Sequence, residues 1–368
     1  SVLVDEKNNS DQTALMLAAM NGHIGTFNIL IDAGANPNLC DSKGKSIIDM
    51  ALQAGHAEIL KFFKAQMEKA DADGQTPVMK ALSEKKTAIL KTMIASGASL
   101  DVTNSHGKTA LAIVTEKGDV NYIQMLIDAK ASLDTKSGDK SPLMIAVETG
   151  HEAAAQLLVN AGASVNFRNE RGDTSLLLAI KRGSLGMVKT LIASKASLNV
   201  RSLSDLTPLM VAIGCAPVAE ALIDAGAALD LSDPAGNTAI ALTAKNDDAH
   251  IIQKLVAAKA CLEVKNKLEQ TPLLCAVEAG SVNAARVLSE AGADLNAHDK
   301  NRNTAVIIAM SNGDVAMLKQ LITCKASTDA KNQKGETALD LALRQKRAAV
   351  GEVLANAFDE QGRPVLIA

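Results

Sequence analysis

The chain has 368 residues, 38 Lys and Arg against 41 Asp and Glu, and a formal net charge of −3. Hydrophobic residues make up 47% of it and aromatic residues 2%, with one Tyr and no Trp. This balance excludes charge-driven attraction of the whole molecule to nucleic acid or an anionic membrane, and the shortage of aromatics argues against an interface led by aromatic hot spots. The longest apolar stretch, Pro208 to Ala219, contains Gly214 and Pro217 and is too short to span a bilayer.

In chain order, one phrase of about 33 residues recurs eleven times, aligned on a Thr or Ser at 13, 46, 76, 109, 141, 174, 207, 238, 271, 304 and 337. A fixed period of this size means a stack, because a unit so short cannot bury its own apolar face. Two residues after each aligned position stands an aliphatic residue, and three further on Ala in nine of eleven repeats, from Ala18 to Ala342. That spacing predicts a first short helix. The Thr or Ser is placed to cap it, and Pro77, Pro142, Pro208 and Pro272 follow at the first helical position, where a missing N–H costs nothing. An apolar pair about 17 residues after the Thr, such as Leu30-Ile31, Leu126-Ile127 or Leu321-Ile322, predicts a second helix. Gly34, Gly97, Gly162, Gly226 and Gly292 close it in the manner of a left-handed cap. A polar turn or hairpin then leads to the next unit. Adjacent helices pack roughly 8–10 Å apart, so eleven layers make an arc on the order of 100 Å long.

The phrases Thr13-Ala14-Leu15-Met16-Leu17-Ala18-Ala19, Thr76-Pro77-Val78-Met79-Lys80-Ala81 and Ala33-Gly34-Ala35-Asn36-Pro37-Asn38 resemble the ankyrin repeat, in register along essentially the whole chain. The resemblance implies an all-α ankyrin-repeat solenoid of helix-loop-helix units with projecting β-hairpin or turn tips. It also implies a non-catalytic scaffold that binds proteins on its tips and on the exposed face of the first helices. One departure is consistent. The family has His three residues after the Thr, where this chain has Met16, Asp49, Met79, Ala112, Met144, Leu177, Met210, Ala241, Leu274, Ile307 and Asp340. The polar link of that His is expected to be absent, with apolar packing in its place. The array is expected to fill residues 1–368 as one domain. Part-repeats at Ser1–Asp5 and at Asp359–Ala368 and the want of polar capping repeats lead to the expectation of a segment of a longer protein, or one closed by neighbours.

From residue 97 the helix-closing position alternates Gly97, Lys130, Gly162, Lys195, Gly226, Lys259, Gly292, Lys325, which implies growth by copying repeat pairs. Lys at a left-handed cap costs roughly 1 kcal/mol, and its charge at a helix C-terminus recovers about 0.3–1 kcal/mol. Lys130, Lys195, Lys259 and Lys325 are therefore either an inherited, tolerated cap or a ladder facing an acidic, repeating partner. The tips grow basic toward the C-terminus through Arg168, Arg201, Lys265, Lys267, Lys300, Arg302, Lys331 and Lys334, as a solvated edge or a docking edge. Leu203, Leu206 and Leu268 stand where other tips are polar, and exposed leucines on nearby tips mark an apolar contact point. Phe167 takes a position that is aliphatic in other repeats and is read as packing within its hairpin.

Two repeats are short. The step from Ser46 to Thr76 loses three residues, with Ala65–Ala70 lacking the Gly-Ala cap, and the step from Thr207 to Thr238 loses two near Gly214–Pro217. Pro217 is read as starting a shortened second helix. Gly44-Lys45-Ser46 lacks the first Gly of a phosphate loop, and Asp71-Ala72-Asp73-Gly74 lacks the remaining ligands of a calcium loop. No His pair has zinc spacing, and His23, His56 and His151 read as structural. Cys40, Cys215, Cys261, Cys275 and Cys324 form no C-x-x-C pair and read as reduced thiols. No cofactor, no nucleic acid and no membrane insertion are expected. The expected role is an interaction or structural scaffold in a cytoplasmic, cytoskeleton-linked or adaptor protein. The cytosolic arm of a channel, the targeting arm of an enzyme and a translocated microbial effector are the alternatives.

Overall fold

The computed structural model describes residues 4–67, 70–347 and 353. The chain divides into two compact units, residues 1–169 and 170–368. Unit 1 holds α1 (Ala14–Met20), α2 (Ile24–Asp32), α3 (Ile47–Ala54), α4 (Ala57–Met67), α5 (Pro77–Ser83), α6 (Thr87–Ala95), α7 (Ala110–Glu116), α8 (Val120–Asp128), α9 (Pro142–Thr149) and α10 (Glu152–Asn160). Unit 2 holds α11 (Ser175–Lys181), α12 (Leu185–Ala193), α13 (Pro208–Val211), α14 (Ala216–Asp224), α15 (Ala239–Lys245), α16 (Ala249–Ala257), α17 (Pro272–Ala279), α18 (Val282–Glu290), α19 (Ala305–Asn312), α20 (Val315–Thr323) and α21 (Ala338–Arg344). Among the described residues there is no sheet, only isolated antiparallel bridges at tip bases such as Ser232–Thr238 and His298–Thr304. The expected part-repeat at 359–368 and residues 68 and 69 lie outside the described residues.

Each helix forms for the reasons its sequence states. Thr13, Thr76, Thr109, Ser141, Thr174, Thr207, Thr271 and Thr337 cap first helices by accepting the amide three residues on. Thr238 and Thr304 take the same extended cap conformation without that bond. Inside a unit, first helices pack on first helices (α15, α17, α19 and α21 in turn) and second on second (α12, α14, α16, α18 and α20). The core is the seam between the rows: Leu273, Ala276, Val277, Ala284, Ala285 and Leu288 are buried in one repeat. Burying a Leu or Val contributes about 1.5–3 kcal/mol, and Ala at the recurring position lets helices approach.

Gly34 and Lys195 close their helices with the same two bonds. Gly34 N donates to Ile31 O and Ala35 N to Leu30 O; Lys195 N donates to Ile192 O and Ala196 N to Leu191 O. Both residues are left-handed, with φ of +86° at Gly34 and +64°, +61°, +67° and +66° at Lys130, Lys195, Lys259 and Lys325. The lysines thus sit in backbone that favours glycine. Lys259→Gly is expected to stabilise the chain by about 0.5 kcal/mol at high salt and by less at low salt, where the charge favours Lys more. Urea unfolding at two ionic strengths checks this, and a loss of stability at both would refute it.

Two expectations change. First, the shortened repeat trims its first helix, not its second: α13 has four residues and α14 nine, with Pro217 in its first turn. Val218, Ala219, Leu222 and Ile223 are all buried on α14, so its register against α12 and α16 is fixed by packing. Second, the polar link three residues after the cap is not absent throughout. Met16, Met79 and Met144 are buried there, but Asp49 Oδ2 accepts from Ser46 N and Asp340 Oδ2 from Thr337 N, each at 2.9 Å. Where the sequence lacks the Gly-Ala cap, α4 extends over eleven residues against nine for α2.

Candidate functional site

The tips are built by one device. Five residues before the cap stands Asn8, Asp41, Asp71, Asn104, Asp233, Asn266, Asp299 or Asn332, whose side-chain oxygen accepts the amides two and four residues on. This is the turn that Asx residues form with their own backbone. Asp71 is therefore occupied: it holds Asp73 N and Gln75 N, and its pairing with Lys80 at 2.8 Å, followed by those amides, lowers its pKa. Among the described residues no group of His, Cys, Asp and Glu is arranged for a metal.

Adjacent tips are tied together. Lys267 N donates to Ala235 O, Lys300 N to Leu268 O and Gln333 N to Asn301 O in unit 2, as Ser42 N does to Ser10 O and Ser105 N to Asp73 O in unit 1. Exposed side chains also link repeats: Asp101 accepts from Ser132 N, Asn199 from Ala228 N, Asp230 from Cys261 N, Glu263 from Asp294 N and Asn296 from Ser327 N. The histidines after the first helix link repeats as well: His56 Nε2 donates to Met20 O and His151 Nε2 to Glu116 O, both at 3.1 Å. His23 begins α2 and makes no capping bond.

The face formed by tips and first helices is largely self-paired. Lys108 meets Glu116, Lys140 meets Glu148, Asp173 meets Lys181 and Arg344 meets Glu336, each at 2.6–2.7 Å between the residue before the cap and the one eight further on. Gln270 donates to Glu278 in the same register. Neither position carries a charge at Leu206 and Gly214, where α13 is short, nor at Gln12 and Met20, Gln75 and Ser83, or Asn303 and Ser311.

The sequence-derived residues sort as follows. Leu203 is 73% exposed and Leu268 43%. Leu206 is only half-buried surface: its amide and carbonyl pair with Ser202 and close the turn. Arg201 is a strut rather than a free cation, since one guanidinium nitrogen donates to Asp205 O and Ser232 O at 2.9 Å and pairs with the Asp205 carboxylate. Arg168 is exposed in unit 1. Phe167 packs under Lys136, whose Nζ stands 5.6 Å from the ring centroid, so its partner comes from the preceding tip. Lys265, Lys300 and Lys331 are exposed and outside every ion pair of the described residues, as are Lys130, Lys195, Lys259 and Lys325. In unit 2, however, the exposed Asp224 and Glu290 end the intervening second helices, so the lysine edge alternates in sign.

Unit 1 also holds a cavity of about 530 Å³ against Ile48, Phe62, Phe63, Ile89 and Met93, with Phe27 edge-on to both phenylalanines. Its rim charges are taken, Lys80 by Asp71 and Lys86 by Glu84. Cys275 is buried beside Asn266, and burial pushes its thiol up to about 11, which leaves little thiolate at neutral pH. No helix among the described residues is long and apolar enough to cross a membrane.

The family model described as Ankyrin repeats (3 copies) matches residues 15–104, 78–169, 143–233, 209–299 and 291–362. The human protein Ankyrin repeat domain-containing protein 63 is 33% identical over 105 residues, which is 27% of this chain and 28% of that protein. Mouse Rabankyrin-5 is 29% identical over 143 residues, 37% of this chain and 12% of that protein. The chain thus matches under a third of the length of either relative. Among solved structures, the ankyrin repeat domain of Bcl-3 superposes with a TM-score of 0.54 at 25% identity, over 58% of this chain and 98% of that one. The recurrent caps, the two helix rows, the tied tips and these matches together place the chain in the ankyrin-repeat family.

Proposed function

We propose that this chain acts as an adaptor or cytoskeletal scaffold and docks a protein partner on the tip edge of unit 2. Ankyrin repeats are protein-interaction modules, and their fold is generally non-catalytic. The observation that carries the proposal is the contrast between backbone and side chains at these tips. The tips from Ala235 to Gln333 are locked to each other by main-chain bonds and the Leu203 tip is held by the Arg201 side chain, yet Leu203, Leu268, Lys265, Lys300 and Lys331 project into solvent. A rigid surface of exposed side chains binds at low entropic cost. The lysine edge supports an acidic, repeating partner less well, because Asp224 and Glu290 interrupt it.

Crosslinking mass spectrometry on the native protein in its own cell extract tests this. Crosslinks to a partner at Lys265, Lys267, Lys300, Lys331 or Lys334 are expected. Crosslinks concentrated at Lys130, Lys195, Lys259 and Lys325 would move the docking surface to the second-helix edge and overturn the assignment. A pairwise check uses Leu203→Asp with Leu268→Asp, which is expected to weaken capture of the crosslinked partner with the circular dichroism spectrum unchanged; undiminished capture would remove the leucines from the surface.

A further inference from the structure

The tip edge of unit 2 carries two kinds of surface, one after the other. Leu203, then Pro234 and Ala235, then Leu268 are exposed on three successive tips. Lys265, Lys267, Lys300, Arg302, Lys331 and Lys334 are exposed on the last three tips, and none makes an ion pair among the described residues. Among the acids of these tips, Glu269 and Asp329 are exposed, while Glu263 holds the Asp294 amide, Asp294 the Asn296 amide, Asp299 the Asn301 and Asn303 amides, and Glu336 pairs with Arg344. The six cations of this comb are exposed and outside every ion pair of the described residues, whereas four of the six acids are engaged in turn or pair bonds. Elsewhere the same tips and first helices neutralise each other, at Lys108–Glu116 and Lys140–Glu148 in unit 1 and at Asp173–Lys181 in unit 2.

The surface is held in shape. Arg201 ties the first of these tips to Ser232, Lys267 N ties the next pair, and Lys300 N and Gln333 N tie the last two. Leu268 lies where the two surfaces meet, its carbonyl held by Lys300 N. Repeats stack roughly 10 Å apart, and an extended chain rises about 3.3 Å per residue. Leu203 and Leu268, two repeats apart, are therefore spanned by about six extended residues, and the cation columns meet about one residue in three.

We propose that these five tips bind an extended protein segment whose aliphatic part lies over Leu203 and Leu268 and whose acid-rich part runs along the comb from Lys265 to Lys334. The proposal rests on the reading above in taking the tip edge as the docking side, and adds the chemistry of the partner. Charge complementarity sets orientation and on-rate, and the leucines supply the apolar anchors.

The test titrates the full chain into a fluorescein-labelled synthetic peptide and reads anisotropy. The peptide has two leucines about six residues apart and, beyond them, Glu at about every third position, made with the leucines first and with the glutamates first. Saturable binding of one order is expected, weakened at least about tenfold by raising salt from about 50 to about 200 mM. The same loss is expected for a Lys265→Glu, Lys300→Glu, Lys331→Glu chain and for Leu203→Ser with Leu268→Ser. These positions are exposed, and an unchanged circular dichroism melt shows the fold intact. Equal binding of a peptide with Gln for every Glu, or equal binding by the charge-reversed chain, overturns the proposal. So does poly(U) RNA that binds more tightly than the peptide and displaces it. If both peptides fail while the native partner crosslinks to these tips, the partner's chemistry is wrong and the docking edge stands; if a peptide binds but crosslinks fall elsewhere, the reading of the docking edge is the one that fails.

Discussion

Asn266→Ala is expected to destabilise unit 2 by about 2–4 kcal/mol, far more than truncation of an exposed side chain. Asn266 is 8% exposed and uses both ends of its amide. Its oxygen accepts from Leu268 N at 2.9 Å and Gln270 N at 3.0 Å, and its nitrogen donates to Asn237 Oδ1 at 3.0 Å and Gln270 Oε1 at 3.1 Å. Asn237 is held in turn by Lys245 Nζ and the Asp233 carboxylate, so the bond runs from one repeat into the next. Truncation takes the partner from two backbone amides and from Gln270 Oε1, while Asn237 Oδ1 keeps Lys245 Nζ, at about 1–3 kcal/mol for each group that stays unpaired. Asn266→Asp keeps the acceptor for both amides and loses the donor, so its expected cost is about half. Asp71→Ala removes the same turn at an exposed position and is expected to cost no more than about 1 kcal/mol. Urea unfolding ranks the three, and hydrogen exchange at Leu268 and Gln270 locates the effect. Equal losses for Asn266→Ala and Asp71→Ala would show that the inter-repeat amide contributes nothing.

The caps and the left-handed closures were legible because each is local: Thr, Pro and Gly recur at offsets that one helix end explains, and Lys195 could be placed in Gly's position by alignment alone. The tip Asx residue is also local, and its signal was present: Asn or Asp recurs five residues before the cap in repeat after repeat, from Asn8 to Asn332. Its second task is not local. Nothing in the spacing of Asn266 shows that its amide reaches Asn237, 29 residues back, or that Asp101 holds the amide of Ser132. Such bonds span one period, so they become visible only when two repeats are stacked.

The short repeat shows the same limit from another side. The two-residue loss between Thr207 and Thr238 fixes how much chain is missing but not from which helix. Pro217 could open a helix wherever that helix began. The choice is made by packing: α14 must keep Val218, Ala219, Leu222 and Ile223 in step with two neighbours, while α13 gives up its last turn at the solvent-facing end. Likewise, the leucines were found by being out of place, but their separation into an exposed Leu203 and Leu268 and a turn-closing Leu206 needed the backbone. Arg201 looked like its basic neighbours and is instead a strut: Ser202 stands where other tips have Asx and its hydroxyl accepts only the Leu206 amide, and the guanidinium adds bonds to Asp205 O and Ser232 O.

The close stacking of tips leads to a second large effect, in unit 1. Gly74→Ala is expected to cost about 2–4 kcal/mol, and Gly44→Ala, at the same place in its repeat, about 1 kcal/mol. Both glycines are left-handed, with φ of +70° and +72°, so both substitutions carry the conformational penalty. They differ in what a methyl group would meet. At Gly44 a Cβ has nothing within 4 Å, whereas at Gly74 it would lie 2.5 Å from the Ser105 amide nitrogen. That amide cannot move freely, because it donates to Asp73 O at 3.1 Å while the Ser105 hydroxyl donates to the same oxygen at 2.6 Å. The methyl therefore has to break the tie between tips. The chain itself shows that the conformation alone is tolerable: Asp11, Asp205, Glu269 and Arg302 occupy the same position with φ of +56° to +61°. Thermal or urea unfolding of the two variants separates backbone strain from tip-to-tip contact. If both lose the same amount, left-handed strain is the whole cost and the close approach of Ser105 yields without penalty. If Gly74→Ala loses several times more, tip register is under steric control, and a rigid tip edge is what the docking of a partner on unit 2 requires.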